Sequence, residues 1–325
     1  MNIVAAEWLP YALPLRQPWR TSRGEIGERR GRLLRLRSGD GLTGWGDCAP
    51  LPEFGIGEAA ATAFAEESAA IDLAAQRAGL PLNAWLSGHA PATSVAVNAS
   101  FGPVSTVDRD SLDRAARAGF TVAKLKVGVA PVDDEAAALQ RLAAHLPPAL
   151  RLRLDANRAW PLATARRFIA ACAGLPIDGL EEPLADPDPA SLASLQAAAA
   201  FPLAIDESTH LLDGHFFRHP PVRRLVLKPA RNGGLLASTE LALRAHASGI
   251  EVIVTSALES ACGITLLAHL AAAVAPGTVH GLATGEWLLG DVGLPPRVVD
   301  AQMQLPKGNG TGFAMSGKRC GGGST

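Results

Sequence analysis

Eight short apolar runs recur between residues 94 and 285, and no other feature constrains the fold as tightly. They are SVAVNAS (94–100), TVAKLKVG (121–128), RLRLDAN (151–157), DGLEEPL (178–184), FPLAIDES (201–208), RRLVLKPA (223–230), EVIVTSALES (251–260) and VHGLATG (279–285). Helical spacing fills the gaps, as in DDEAAALQRLAAHL (133–146) and LLASTELALRAHASG (235–249). Strands alternating with helices make βαβ units and a parallel sheet. Eight of them at this interval predict a closed barrel over an open sheet. No GxGxxG opens a helix, so a dinucleotide fold has no support.

Residues 1–92 follow another rhythm. Arg32 to Arg37 alternates, Ser38 to Gly41 supplies a turn and Leu42 to Trp45 returns, which predicts a β-hairpin. Residues 57–79 carry helical periodicity closed by Gly79 and Pro81. The expected architecture is α/β: an α+β capping domain over 1–92, completed by roughly 286–325, and a (β/α)7β barrel, a modified TIM barrel, over 93–285.

With 48% apolar and 19% charged residues, a chain of 325 residues can build a sizeable core. A net charge of −1 with no basic stripe argues against nucleic acid or an anionic membrane as partner. The longest apolar stretch, Ile264 to Ala275, is too short to span a bilayer, and the proline-broken N-terminus fails as a signal peptide. Four scattered cysteines (Cys48, Cys172, Cys262, Cys320) read as reduced thiols, so a cytoplasmic protein is expected. The sequence leaves oligomeric state open, and also whether GKRCGGGST (317–325) is native.

In a parallel barrel the chemistry sits at the carboxyl ends of the strands. Six consecutive runs finish in charge: Lys124 and Lys126, Asp155 with Asn157, Glu181-Glu182, Asp206-Glu207, Lys228, and Glu259. Singly, each is ordinary for a solvated strand end or a helix cap. As an ordered series they are not, because charge at the end of an apolar strand is costly unless paired or metal-bound. Asp155, Glu181 and Asp206 offer three carboxylates to a hard divalent cation, expected to be Mg2+ with Mn2+ as a substitute. Lys126 and Lys228 flank them on opposite sides. Such a layout suits removal of a proton alpha to a carboxylate, the cation stabilising the added charge and a lysine of lowered pKa acting as base. Burial and neighbouring cations would supply that lowering, and Lys124, two residues from Lys126 and on the same face, is one such cation.

The series KLKVG (124–128), RLDANRAW (153–160), LEEP (180–183), IDES (205–208) and LKP (227–229) resembles the muconate-lactonising branch of the enolase superfamily. Within it, RLDANRAW, SALESACGITLLAHLAA (256–272) and GWGDCAPLPEFG (44–55) are most similar to the o-succinylbenzoate synthases of menaquinone biosynthesis. The resemblance implies Asp155, Glu181 and Asp206 as Mg2+ ligands and Lys126 as the base that takes the alpha proton and then assists departure of hydroxide. It implies Lys228 as the opposing cation, Asn157 and Glu207 as groups that orient ligands and lysines, and Thr255, Ser256 and the Gly281 backbone as contacts of a succinyl group. The implied reaction is syn elimination of water from a cyclohexadiene hydroxy acid. Racemisation of N-acylamino acids, muconate-type cycloisomerisation and a catalytically inactive binding barrel stay open. No Asp-x-Asp follows the eighth strand, where GLATGEW (281–287) stands, which disfavours a free ammonium on the substrate. His210 and His280 near strand ends read as structural. The stretch Leu15 to Arg30, with Arg16, Arg20, Arg23, Arg29 and Arg30, reads as a mobile lid loop in which Arg20 meets the small-molecule carboxylate. Pro50 to Gly55 reads as a second lid segment.

Overall fold

The computed structural model describes residues 2–21 and 24–316, with side chains throughout except at 19–21 and 24. The chain runs β1 (Ile3–Thr21), β2 (Gly24–Ser38), β3 (Thr43–Cys48), α1 (Glu58–Arg77), α2 (Leu82–Ser87), β4 (Ser94–Ala96), β5 (Ala99–Pro103) and α3 (Arg109–Arg117). It continues through β6 (Val122–Lys126), α4 (Val132–Ala143), β7 (Arg151–Asp155), α5 (Leu162–Ala171), β8 (Ile177–Glu181), α6 (Pro189–Ala198), β9 (Leu203–Ile205), α7 (Gly214–Arg218) and β10 (Arg224–Leu227). Helices α8 (Pro229–Asn232) and α9 (Leu235–Ala247), strand β11 (Glu251–Val254), α10 (Ala261–Val274), β12 (Val298–Val299) and β13 (Gln302–Gln304) complete it.

Strands β5 to β11 lie side by side in chain order and pair in parallel, with helices between them. Buried on both faces, such strands must be apolar throughout, which is why they read as continuous runs. The eighth run joins the two edges. His280 N–H donates to Ala96 O (2.8 Å) and Asn98 N–H to His280 O (2.9 Å), while Gly281 N–H donates to Val254 O (3.0 Å) and Ser256 N–H to Gly281 O (2.9 Å). The architecture is the TIM barrel the pattern implied, with an N-terminal antiparallel sheet beside it.

That sheet has the order β1-β2-β3. On one face Gly44 and Gly46 let β3 touch α1 backbone to backbone; a Cβ on Gly46 would lie 1.9 Å from Ala65 O, and one on Gly44 2.2 Å from Ala69 O. On the other face Tyr11 and Asp47 meet the start of α10, where the Asp47 carboxylate accepts from the Tyr11 hydroxyl (2.7 Å) and from Ser260 Oγ (2.8 Å). The expected lid loop over Leu15 to Arg30 is corrected here. β1 and β2 pair through this stretch, with a register break between Pro14 and Trp19, as far as Thr21 and Gly24, so Arg16, Arg29 and Arg30 sit on strands instead of a loop. Arg16 donates to Glu286 O (2.8 Å), Arg30 pairs with Glu28, and Arg29 is buried. The side chains of Arg20 and Arg23 lie outside the described residues, as do Cys320 and the 317–325 tail.

The C-terminal segment returns to the N-terminal domain. Thr311 N–H donates to Asp72 (2.8 Å), Gly310 O accepts from Leu82 N–H (2.7 Å), and Phe313 packs edge-on against Trp45 at 5.5 Å. Two buried histidines hold joints, His269 at this return and His280 within the barrel. His269 Nδ1 accepts from Asn83 N–H (3.2 Å) and Nε2 donates to Thr311 O (3.0 Å); His280 Nδ1 accepts from Val254 N–H (3.0 Å) and Nε2 donates to Ala275 O (3.0 Å). A ring nitrogen that accepts from an amide must be unprotonated, so both rings are neutral. Burial lowers each to about 4.

An unfolded histidine takes its proton near pH 6.5. Stability from each ring is therefore full above that pH and is lost as pH falls toward 4, by about 3 kcal/mol per ring. Glu207 and Asp291, which burial pushes up to about 7 and about 6, titrate with the opposite sign. The informative quantity is thus a difference between proteins. Urea unfolding of His269→Gln at pH 4 to 7 is expected to show a pH slope reduced by about one proton relative to the parent, and an unchanged slope would contradict a neutral buried ring.

Candidate active site

Register along the barrel places Lys126 beside Asp155 and Asp155 beside Glu181, while Asp206 and Lys228 each follow the last residue of their strand. Asp155, Glu181, Asp206 and Lys228 are each at most 5% exposed, which removes the reading of solvated strand ends. The Lys124 ammonium reaches Asp155 (3.0 Å) and Glu181, and Lys228 and Arg231 both pair with Asp206.

Charge shapes the acidities. Burial disfavours the Lys124 ammonium, yet Asp155, Glu181 and Asp206 outweigh it and hold its pKa well above the ordinary lysine value. Lys126 behaves oppositely: burial lowers it, and Lys124 and Lys228 add to the lowering against the pull of Asp155 and Glu207. Burial and neighbouring cations both contribute to the lowering, as expected from the sequence, with burial the larger. Burial also raises Asp206, but Lys228, Arg231 and Lys124 reverse this and keep it far below the usual carboxylate range. Glu181 is raised, chiefly by burial.

The cage of three acids is not ready-made. Among the described residues no three acidic, histidine or cysteine side chains gather closely enough to form one, because ammonium and guanidinium groups stand among the carboxylates. The donor set nonetheless suits a hard divalent cation, being three carboxylates on neighbouring strands. One oxygen, Glu181 Oε1, is buried without a hydrogen-bond partner.

Lys124, Lys126, Asp155 and Lys228 line one pocket. Phe54, Phe101, Leu258 and Trp287 form its apolar walls, and Phe54 lies with its ring centroid 5.9 Å from Lys228 Nζ. Pro50 to Gly55 thus contributes a wall, through the short turn at Pro52–Phe54. Thr255 Oγ1, also at the pocket, is buried without a partner. The Ser256 hydroxyl is committed: it donates to Glu259 (2.7 Å) and accepts from Thr284 (2.9 Å) and Leu258 N–H (2.8 Å). Gly281 lines the pocket, but its N–H goes to Val254 O.

Asn157 donates through Nδ2 to Glu207 (3.0 Å) and through its amide to Asp155 (3.2 Å). Two supports escaped the sequence reading. Glu182 accepts from Asp206 N–H (2.7 Å) and Ser208 N–H (3.3 Å), so the second glutamate of LEEP holds the segment that carries Asp206. Arg231, three residues past Lys228, pairs with Asp206 from the turn of α8. A strain signal marks the same rim: Asn157, Arg158, Glu182 and Leu258 hold φ between 43° and 63°, in loops that follow barrel strands. Non-glycine residues persist there only where their surroundings fix them.

Residues 108–319 match the family model described as "Enolase C-terminal domain-like". The o-succinylbenzoate synthase of Pectobacterium atrosepticum is 31% identical over 300 residues, covering 84% of this chain and 88% of that protein. Among solved structures, a substrate-liganded complex of the L-Ala-D/L-Glu epimerase from Bacillus subtilis aligns with TM-score 0.86 at 23% identity, covering 96% of this chain and 99% of that one. The dipeptide epimerase from Cytophaga hutchinsonii, complexed with Mg and D-Ala-L-Val, aligns with TM-score 0.85 at 20% identity, covering 98% and 97%.

Proposed function

The chain belongs to the enolase superfamily and is an enzyme, and from that premise we propose that it is a Mg2+-dependent hydro-lyase. Its substrate would be 2-succinyl-6-hydroxy-2,4-cyclohexadiene-1-carboxylate and its product 2-succinylbenzoate, as in menaquinone biosynthesis. One observation carries the reading: three lysines (Lys124, Lys126 and Lys228) and the Asp155 carboxylate line a single pocket whose remaining walls are mostly apolar or hydroxyl-bearing.

Asp155, Glu181 and Asp206 would hold Mg2+, which when bound supplies positive charge against the substrate carboxylate. Lys126, its pKa lowered, takes the proton from the ring carbon bearing the carboxylate. Lys228 faces the growing negative charge from the other side, positioned by Asp206 and Phe54. The electron pair of the broken C–H bond becomes the new ring double bond as the adjacent C–O bond breaks. Lys126 returns its proton to the departing hydroxide as water. Aromatisation drives the step, so the protein's task is mainly to stabilise charge. Thr255 Oγ1 would meet the succinyl group at the hydroxyl-lined wall.

The test is water loss from the cyclohexadiene acid, assayed beside deuterium exchange at Cα of N-succinyl amino acids. Dehydration supports the proposal, and exchange alone would assign racemisation by the same two lysines. Asp206→Asn is expected to weaken Mg2+ binding by roughly 100-fold or more, beyond the 10- to 100-fold typical of outer partners. Isothermal titration and the Mg2+-dependent rise in Tm would both read it. Unaltered affinity would remove Asp206 from the ligand set.

A further inference from the structure

We propose that Arg29 is a positioning residue that sets the width of the substrate pocket by tying two of its walls together, an inference that rests on the reading of that pocket as the site of turnover. Arg29 lies on β2 and is 3% exposed. Its guanidinium donates through Nε to Leu258 O (3.1 Å), through Nη1 to Pro50 O (2.8 Å) and through Nη2 to Ala49 O (3.0 Å). Each of these carbonyls belongs to a segment that ends in a pocket wall.

Ala49 and Pro50 are the base of a tight loop, closed by Leu51 N–H to Ile56 O (2.8 Å) and Ile56 N–H to Leu51 O (3.1 Å), whose turn presents Phe54. Leu258 is itself a wall, and it stands at φ 60°, a conformation leucine does not choose unaided. Its amide is held by Ser256 Oγ and its carbonyl by Arg29. One rigid fork therefore fixes the N-terminal-domain wall, the barrel wall and the gap between them. It also sets the placement of Phe54 relative to Lys228.

Adhesion between the domains does not require this charge. Tyr11, Asp47 and Ser260 already join the sheet to α10, and Trp45 with Phe313 joins it to the C-terminal segment. The Arg29 charge also favours the ionised forms of the buried Asp47 and Glu259 carboxylates, yet its three hydrogen bonds go to carbonyls. Its planar fork has geometric value instead, since three donors at fixed angles reach three carbonyls that one lysine ammonium cannot.

The experiment compares Arg29→Lys with the parent in the Mg2+-loaded full chain, measuring kcat and KM for dehydration together with Tm. KM is expected to rise about tenfold while kcat stays within about threefold. In a Phe54→Ala background the same substitution should raise KM by clearly less than in the parent, because one of the two walls that Arg29 positions is gone. A brace with no role in the pocket would lower kcat with the folded fraction and leave KM fixed; that result, or full additivity with Phe54→Ala, overturns the proposal. Should Arg29→Lys not fold, Arg29→Gln, which keeps a planar donor and leaves both walls' side chains in place, takes its part: a raised KM with kcat within about threefold supports the proposal and an unmoved KM overturns it. Absence of turnover by the parent on either substrate would refute the reading of the site, whereas parent turnover with an unmoved KM in Arg29→Lys refutes this inference alone.

Discussion

Lys126→Ala is expected to yield a folded protein whose turnover is lower by roughly a thousandfold, within the range a general base contributes. The loss should fall on kcat, because the base acts on the proton in flight and contributes little to holding the substrate. Folding should survive: Asp155, Glu181 and Asp206 keep Lys124, Lys228 and Arg231 as partners, and Glu207 keeps the Asn157 amide. Burial already works against the Lys126 charge, so its removal costs little, and Tm should move by only a few degrees. Exchange of the alpha proton with solvent deuterium should vanish with turnover. Activity above a few per cent of the parent would take the base away from Lys126.

Gly46→Ala should be among the most damaging single methyl additions in the N-terminal domain. The new Cβ would stand 1.9 Å from Ala65 O and under 3 Å from Ala65 C and Cα, all of them backbone atoms of α1 that no rotamer change can clear. The helix must lift off the sheet, opening the seam where Leu34, Ala65, Ala69 and Leu73 are buried. Overpacking usually costs 1–3 kcal/mol, and a clash with fixed backbone belongs at or beyond the upper end. A loss of about 3 kcal/mol or more, roughly 6–12 °C in Tm, is expected in thermal unfolding. Gly27→Ala is the control, since nothing lies within 4 Å of its added methyl. Equal Tm values for the two variants would mean α1 is not seated where Gly44 and Gly46 admit it.

The barrel was legible because its strands are buried on both faces and must be written as apolar runs, each finishing in the charge that faces the rim. The β1–β2 arm was not. Pro10, Pro14 and Pro18 break its alternation, yet β1 is the edge of its sheet, where a missing amide is tolerated. Arginines in that stretch read as a mobile lid loop, and only the fold shows that Arg29 has carbonyls of residues 49, 50 and 258 within reach. The same limit applies at the rim. Lysines and acids at strand ends announce themselves by position, whereas Glu182 and Arg231 gain meaning only from a partner more than twenty residues away. Thr255 and Ser256 are chemically alike in sequence; what separates them is that Glu259, Thr284 and Leu258 use the serine hydroxyl and leave the threonine's without a partner.

The return of residues 310–313 to Asp72, Leu82 and Trp45 bears on how the protein is made. A ribosome releases the first ninety residues more than two hundred codons before the segment they need, a wait of roughly 10–40 s at ordinary elongation speeds. Through that interval the Trp45 surface and the Asp72 carboxylate lack their final cover, and the nascent chain is at its most vulnerable to proteases and to its neighbours. Truncation near residue 305 should therefore cost far more than the loss of a tail.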